Sequence, residues 1–564
     1  MDRFILSQNH TLAYDDDCLN HNVCVVGSPG SGKSSCYEMV NIAQGIKLGH
    51  SLVITDTKGD MLAYFGNYLK SCGYDIKVLD LIDLSRSDCY DPLAYVTSER
   101  DVLTVSEVLC GRQSFQDPYW DDMAKYLFQS MCAYICLEQH ELPKNFDSVI
   151  EMFMHEFAGD DKHKDNTFEQ IMQSLALQKP YCLAARAYNM YSKVKTSDTT
   201  TGCILSSLSH KLLPLVSKEV SFLTRFNDID IRTIGDKKTA VFVCISDNDR
   251  SMDKLGSMFF TQLINVLVSH ADKDFTPHRL PIPVDIHLDD FGTHIVIPSF
   301  ENIIATVRSR GISISIILQS FSQLNERYGE SAQTMIACCD TLLYYGGNDV
   351  FTAEQIAKRT DTTTSDVLSL ARHKVWVIRR CFRPVLDSAF HISLHPDFDK
   401  FSISSGRIYK HTPVKHKRSS RKRSPVSFSF DKLLSADAFD RTMMNDLIKA
   451  SGSPNVLNRK SLKLCGNICY ADLYSIGAKN VLCLFESRKQ LFDELYYRTI
   501  IEPLKRKFDH RADHVILVSY SGFVDQEYSF ANKYGVVPLT REGFEQGIFQ
   551  MDFIARINPR VTKL

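Results

Sequence analysis

NVCVVGSPGSGKSS, residues 22–35, is an apolar run that ends in glycine, passes through a loop of glycine, serine and proline, and enters a helical pattern, CYEMVNIAQGIKL. Gly27, Ser28, Pro29, Gly30, Ser31, Gly32, Lys33 and Ser34 fit GxxxxGK[ST] without a gap. The glycines let backbone N–H groups curl around a polyphosphate, the lysine reaches the β and γ phosphates, and the hydroxyl of Ser34 holds magnesium at the start of the helix. The pattern stands between a strand signal and a helix signal, which is the context a phosphate loop requires. ATP and Mg2+ are therefore the expected cofactors.

Working outward, SLVITD at 51–56 and IKVLDLID at 76–83 are further buried-strand signals separated by helical stretches. That alternation predicts βαβ units and a parallel sheet, hence an α/β fold. From Ser106 to Val216 the windows turn helical, as in DDMAKYLFQSMCAYICLEQ, and no strand signal interrupts them. Strand signals return at 238–246, 284–291, 312–320, 341–347 and 374–380, so one sheet is expected to be completed across a helical insertion. Between Lys410 and Arg423, seven of fourteen residues are Lys or Arg, with no apolar period. This reads as a linker, with phosphate-backbone binding as its alternative. A second, smaller α/β unit is expected after it.

Charged residues make up 23% and hydrophobic residues 44% of the 564, which excludes a mainly disordered or coiled-coil chain. The net charge of -2 excludes a whole-protein electrostatic attraction to nucleic acid. The 17 cysteines, dispersed with no paired CxxC spacing, read as reduced thiols of a cytoplasmic protein. Cys338, Cys339, Cys465 and Cys469 are accordingly expected to be thiols without metal. The stretch starting at Met258, MFFTQLINVLVSHA, is too short and too polar for a bilayer span and is expected to be a buried helix.

A phosphate-loop enzyme needs a strand-end carboxylate for magnesium and an acid to activate the attacking water. HLDDFG offers Asp289 for the first role and Asp290 for the second, with Asp285 earlier in the strand. Gln319, ending ISISIILQ, is a candidate γ-phosphate sensor.

The runs SLVITDTKGDML, DLSRSDCYDPLAYV, DPYWDD, HLDDFG and ILQSFSQLNERYG, in this order over residues 1 to 400, resemble the coupling-protein ATPases of type IV secretion and conjugation, the VirD/TraG group. The resemblance implies a RecA-like motor with an all-helical insertion, assembling as a hexamer that delivers DNA and attached protein to a secretion channel. It implies DNA, a relaxase and channel proteins as partners, and makes Arg308 and Arg310 candidates for a finger reaching a neighbouring subunit's nucleotide. Two departures stand out: the usual Asp-Glu at the strand end is Asp289-Asp290, and the motor signals start within about twenty residues of Met1. The chain is thus expected to be cytoplasmic, peripheral to any membrane complex. The expected division is 1–105 and 217–405 for the RecA-like NTPase, 106–216 for the insertion, 406–428 for the basic linker and 429–564 for the last domain.

That last domain, through HVILVSYSGFVDQEYSFANKYGVVPLTREGFEQ, resembles the end of Mrr-like restriction endonucleases. By that resemblance Asp472 and Glu486 would hold a metal at a scissile phosphate, with Asp440 as the helix acid and Arg488 where a lysine is usual. Arg stays charged and can stabilise a phosphorane-like charge but not relay protons. Three readings remain open at this stage: an ATP-driven DNA motor, an ATP-regulated nuclease, and a nucleotide-switched adaptor for secretion substrates.

Overall fold

Strands buried on both faces need continuous apolar runs, and the central strands here have them. In the computed structural model, the structure describes residues 3–13, 19–111, 119–139, 142–157, 167–194, 198–402 and 408–416, and the backbone of five strands between 455 and 540. The chain divides into two units, Met1–Arg418 and Ser419–Leu564.

In the first unit a small hairpin, β1 (Arg3–Ile5) and β2 (Thr11–Ala13), precedes β3 (Val23–Val26), whose four residues are all buried. There follow β4 (Ser51–Asp56), β5 (Asp75–Asp80), β6 (Thr239–Cys244), β7 (Val284–Leu288), β8 (Ile312–Leu318), β9 (Thr341–Tyr344), β10 (Lys374–Arg379) and β11 (Val385–Ser388). They form one sheet in the order β11-β10-β9-β3-β8-β7-β4-β6-β5. Pairings from β9 to β5 are parallel, while β10 and β11 close the edge as an antiparallel hairpin. The β11 strand, half-exposed and only four residues long, has too little apolar character to be read from sequence.

Between β5 and β6 every regular element among the described residues is helical, from Glu99–Cys110 to Lys218–Leu223 and the turn Ile231–Gly235. The helix Asp253–Asp274 carries the apolar stretch from Met258 and buries Phe259, Phe260, Leu263, Ile264 and Leu267. It is a core helix, each large side chain contributing about 1.5–3 kcal/mol by burial. No helix among the described residues is long and apolar enough to cross a membrane. Asp285 is buried in the first half of β7, where Ser313 Oγ donates to it at 2.6 Å and His50 Nδ1 pairs with it at 2.8 Å. Burial pushes its carboxyl up, but His50 and Ser313 outweigh that and hold it below the usual range. It braces the sheet rather than serving a cleft.

Residues 408–416, from the expected linker, lie against the first unit. Tyr409 N donates to Ala63 O at 3.2 Å, and His411 Nε2 lies 3.0 Å from Asp88 Oδ2. The ring of Tyr409 rests on Gly66, where a Cβ would meet its Cγ at 2.3 Å.

The second unit contains one five-stranded sheet, β12 (Asn455–Leu464), β13 (Asn467–Ile476), β14 (Lys479–Glu486), β15 (His514–Ser519) and β16 (Val536–Thr540), in sequential order. The first two pairings are antiparallel and the last two parallel. The helices expected at DAFDRTMMNDLIKAS and DQEYSFANKY lie outside the described residues.

The Tyr409 contact makes a direct prediction. Gly66→Ala displaces the ring from the helix Asp60–Ser71, and trypsin cleavage at Lys410 and Lys415 should accelerate severalfold while the rest of the unit resists digestion; equal cleavage of both proteins would refute the docking.

Candidate active site

The loop after β3 is fixed from both sides by backbone bonds. Gly27 N donates to Leu318 O at 3.1 Å and Ser28 N to Gly346 O at 2.9 Å, tying the loop to the ends of β8 and β9. The site of Gly27 favours glycine, since a Cβ would stand 2.6 Å from Ser31 Oγ and 3.2 Å from Gly346 O. Gly30 and Gly32 take φ of 78° and 95°, the left-handed region that lets successive N–H groups turn inward. Ser34 opens the helical turn Ser34–Glu38, which continues into the helix Met39–Leu48. Lys33 is buried, its ammonium donating to Gly27 O and Ser28 O.

Facing the loop, Asp289 and Asp290 follow β7. Thr55 at the end of β4 holds this turn through a short hydrogen bond from Asp289 N to its Oγ1. Asp290 adopts φ of 48°, which aims it away from the strand path, and Gln319 Nε2 donates to its Oδ1 at 3.0 Å. Gln323 Nε2 lies 3.4 Å from Gln319 Oε1 and extends the chain of contacts. Pro29, Gly30, Gly32, Lys33, Ser34, Asp289, Asp290 and Gln319 thus line one cleft of about 700 Å³, with Asp56, Lys58, Tyr64 and His294 on its other walls.

The electrostatics are one-sided. Lys33 is lowered by burial, against the fields of Asp289, Asp290 and Glu38. Burial and then Asp290 push the Asp289 carboxyl up to about 7, with Lys33 acting the other way. Asp56 is raised by burial although Leu62 N donates to it. Glu38 is raised well above the usual range by burial and by the neighbouring acids, and neither of its oxygens has a hydrogen-bond partner. Lys33 lies among Glu38, Asp56, Asp289 and Asp290, of which three have raised carboxyls, and a divalent cation at this point would favour their ionised forms. The donor set fits magnesium, a hard cation that takes hydroxyl, carboxylate and phosphate oxygens.

Thr55, Asp56 and Glu38 escaped the sequence reading. Asp56 had a signal, since it ends an apolar strand as Asp289 does; Glu38 had none, because its burial depends on how the helix packs.

Arg310 stands elsewhere. It precedes β8, at the edge of the parallel sheet opposite the phosphate loop, and forms a two-pronged pair with Asp272 at 2.9 and 3.0 Å. In this chain the guanidinium of this candidate finger is engaged with Asp272. In the second unit, Asp472 pairs in register with Cys483, and Glu486 lies three residues beyond Cys483. Alternation has a period of two, so an odd offset assigns the Asp472 and Glu486 positions to opposite faces of the sheet. Asp440 and Arg488 lie outside the described residues.

A mostly parallel sheet with a glycine loop at the carboxyl end of one strand and an acid at the end of another defines a P-loop NTPase of the RecA-like kind. The chain belongs to the type IV secretory system conjugative DNA transfer family, whose model matches residues 5–375. It is similar to the bacterial conjugative coupling protein TrwBdeltaN70 solved in complex with sulphate, at 16% identity and a TM-score of 0.54, over 69% of this chain and 89% of that one. It is also similar to plasmid coupling protein TrwB in complex with the non-hydrolysable ATP analogue ADPNP, at 16% identity and a TM-score of 0.52 over the same shares. A third similar structure, TrwB in complex with ADP and Mg2+, has the same identity and a TM-score of 0.52, again over 69% of this chain and 89% of that one. At these identities the likeness is one of fold. No curated protein matches, and the family match ends before the second unit.

The raised Asp289 carboxyl sets a pH dependence. Between about pH 4 and 7 the folded chain keeps a proton that the unfolded chain has released, so this group's contribution to stability falls as pH rises through that window. Asp289→Asn removes the penalty. In magnesium-free buffer its melting temperature should exceed that of the parent at pH 8, and the difference should shrink by pH 5; an equal difference at both pH values would contradict the assignment.

Proposed function

We propose that this chain is a magnesium-dependent ATPase that couples nucleotide turnover to the loading or movement of DNA at a conjugative type IV secretion apparatus. The observation that carries the reading is the convergence of Lys33, Ser34, Asp289, Asp290 and Gln319 on one cleft. Backbone N–H groups of Gly30, Gly32 and Lys33 cradle the phosphates, and Lys33 leaves its loop carbonyls for the β and γ oxygens. Ser34 and Asp289 would hold magnesium, which would supply neutralisation of the charge that develops on the phosphate oxygens. Asp290 orients the attacking water and takes up its proton as the oxygen attacks the γ phosphorus and the bond to the β–γ bridging oxygen breaks. Gln319, hydrogen-bonded to Asp290, reports whether the γ phosphate is present.

DNA, a relaxase and secretion-channel proteins are the partners this reading assigns, with a homo-oligomeric ring, a hexamer by family resemblance, as the working form. Arg308 and Arg310 are the candidates for a finger completing a neighbour's site. The helical elements between β5 and β6 serve as the specificity insertion. The nuclease reading gains no support from the Asp472–Glu486 register, so the second unit is assigned a binding role in this scheme.

Turnover of Mg-ATP by the purified protein should rise severalfold with DNA, with the DNA intact on a gel. Lys33→Ala and Asp290→Ala should each lower turnover by about 100-fold or more, in the range seen when one charge-stabilising group is lost. Turnover indifferent to DNA would favour the adaptor, and fragmented DNA that persists in Lys33→Ala would favour the nuclease.

A further inference from the structure

Away from the nucleotide cleft, three segments far apart in sequence meet at one point. Cys89 lies in the loop after β5, Asp228 follows the helix Lys218–Leu223, and His416 ends the docked segment 408–416. The Cys89 Sγ, an Asp228 carboxylate oxygen and a His416 ring nitrogen all lie within 4.8 Å of one another. His416 Nε2 is 2.9 and 2.8 Å from the two Asp228 oxygens, and its ring stacks on Phe226 with centroids 4.0 Å apart and planes 3° from parallel. Cys89 N donates to Asp228 Oδ2 at 3.0 Å, which keeps that carboxylate beside the thiol.

The chemistry of this cluster asks for a cation. A bound divalent metal takes the thiolate of Cys89 and releases its proton. One sulfur, one imidazole nitrogen and one carboxylate oxygen suit zinc in a tetrahedral site, with water as the fourth ligand. Magnesium and calcium take all-oxygen sets and fit poorly.

We propose that Cys89, Asp228 and His416 form a zinc site that clamps segment 408–416 onto the NTPase unit. The loop supplying Cys89 is already braced: Asp88 accepts from Val78 N at 2.9 Å and from Val414 N at 3.3 Å, with His411 beside it. Segment 408–416 has no regular secondary structure of its own, so a few separate contacts, backbone and side-chain, carry its placement. The chain runs on from it to Ser419–Leu564, and zinc would fix the point at which it leaves the first unit.

The test uses the full chain, stripped with a chelator, dialysed and titrated with Zn2+ by calorimetry, with Co2+ as a spectroscopic substitute. The expected result is a site whose Co2+ form shows a thiolate charge-transfer band, and whose zinc slows trypsin cleavage at Lys410 and Lys415. Cys89→Ser should abolish the band, and His416→Ala should lower affinity at least about tenfold and remove the zinc-dependent protection. Cys203→Ser, which removes an exposed thiol elsewhere, should change neither. His416 is partly exposed at the end of an extended segment, so its loss leaves the core intact and circular dichroism should match the parent. The proposal is overturned if the parent binds no zinc, if the band survives Cys89→Ser, or if zinc protects His416→Ala as it protects the parent.

Discussion

Val26 pairs in register with Leu318 on one side and with Tyr344 on the other, and all three strands run parallel. Their carboxyl ends therefore finish at one level, and the residues that follow them are delivered to the same place. Gly27 and Ser28 hang from that level by hydrogen bonds to Leu318 and Gly346. On the far side of β8, Leu288 pairs with Ile316, which sets Asp289 and Asp290 opposite the loop. The cleft is a consequence of this register. Ligand crevices at the carboxyl ends of parallel strands follow from the same geometry in other open α/β sheets.

What the register brings together is electrostatically costly. Glu38 is buried and Asp289 partly buried, both are raised, and they face Lys33, which burial itself disfavours as a cation. Such an arrangement is retained at functional sites because the charge is held ready for a ligand, and stability is given up to keep it so. The rest of the sheet compensates by ordinary means. Apolar strands are packed by the helix Asp253–Asp274, and the buried polar group Asp285 is satisfied by His50 and Ser313.

Much of this was legible beforehand, for identifiable reasons. The central strands are buried on both faces, so their apolar runs mark them, and the expected runs at 51–56, 238–246 and 312–320 correspond to β4, β6 and β8. Gly27 to Ser34, Asp289, Asp290 and Gln319 were recognisable because each directly follows such a run. Short or partly exposed strands, β1, β2 and β11, carry no such signature. The pairing of Arg310 with Asp272 is a different case, since it appears only when the helix Asp253–Asp274 is laid beside the turn before β8. For Asp472 and Glu486 the spacing placed both on strands, while the pairing of Asp472 with Cys483 is set by register, which spacing does not give.

The sequence by itself determined the phosphate loop, the strand-end acids and the alternation that makes the sheet parallel, because each is written in residues close together along the chain. The tertiary structure decided everything that joins distant segments. It put Glu38 beside Asp289, tied Gln319 to Asp290, and carried His416 to Asp228, 188 positions away. Local pattern fixes backbone geometry over a turn or a strand, whereas these meetings depend on packing that only the folded chain supplies.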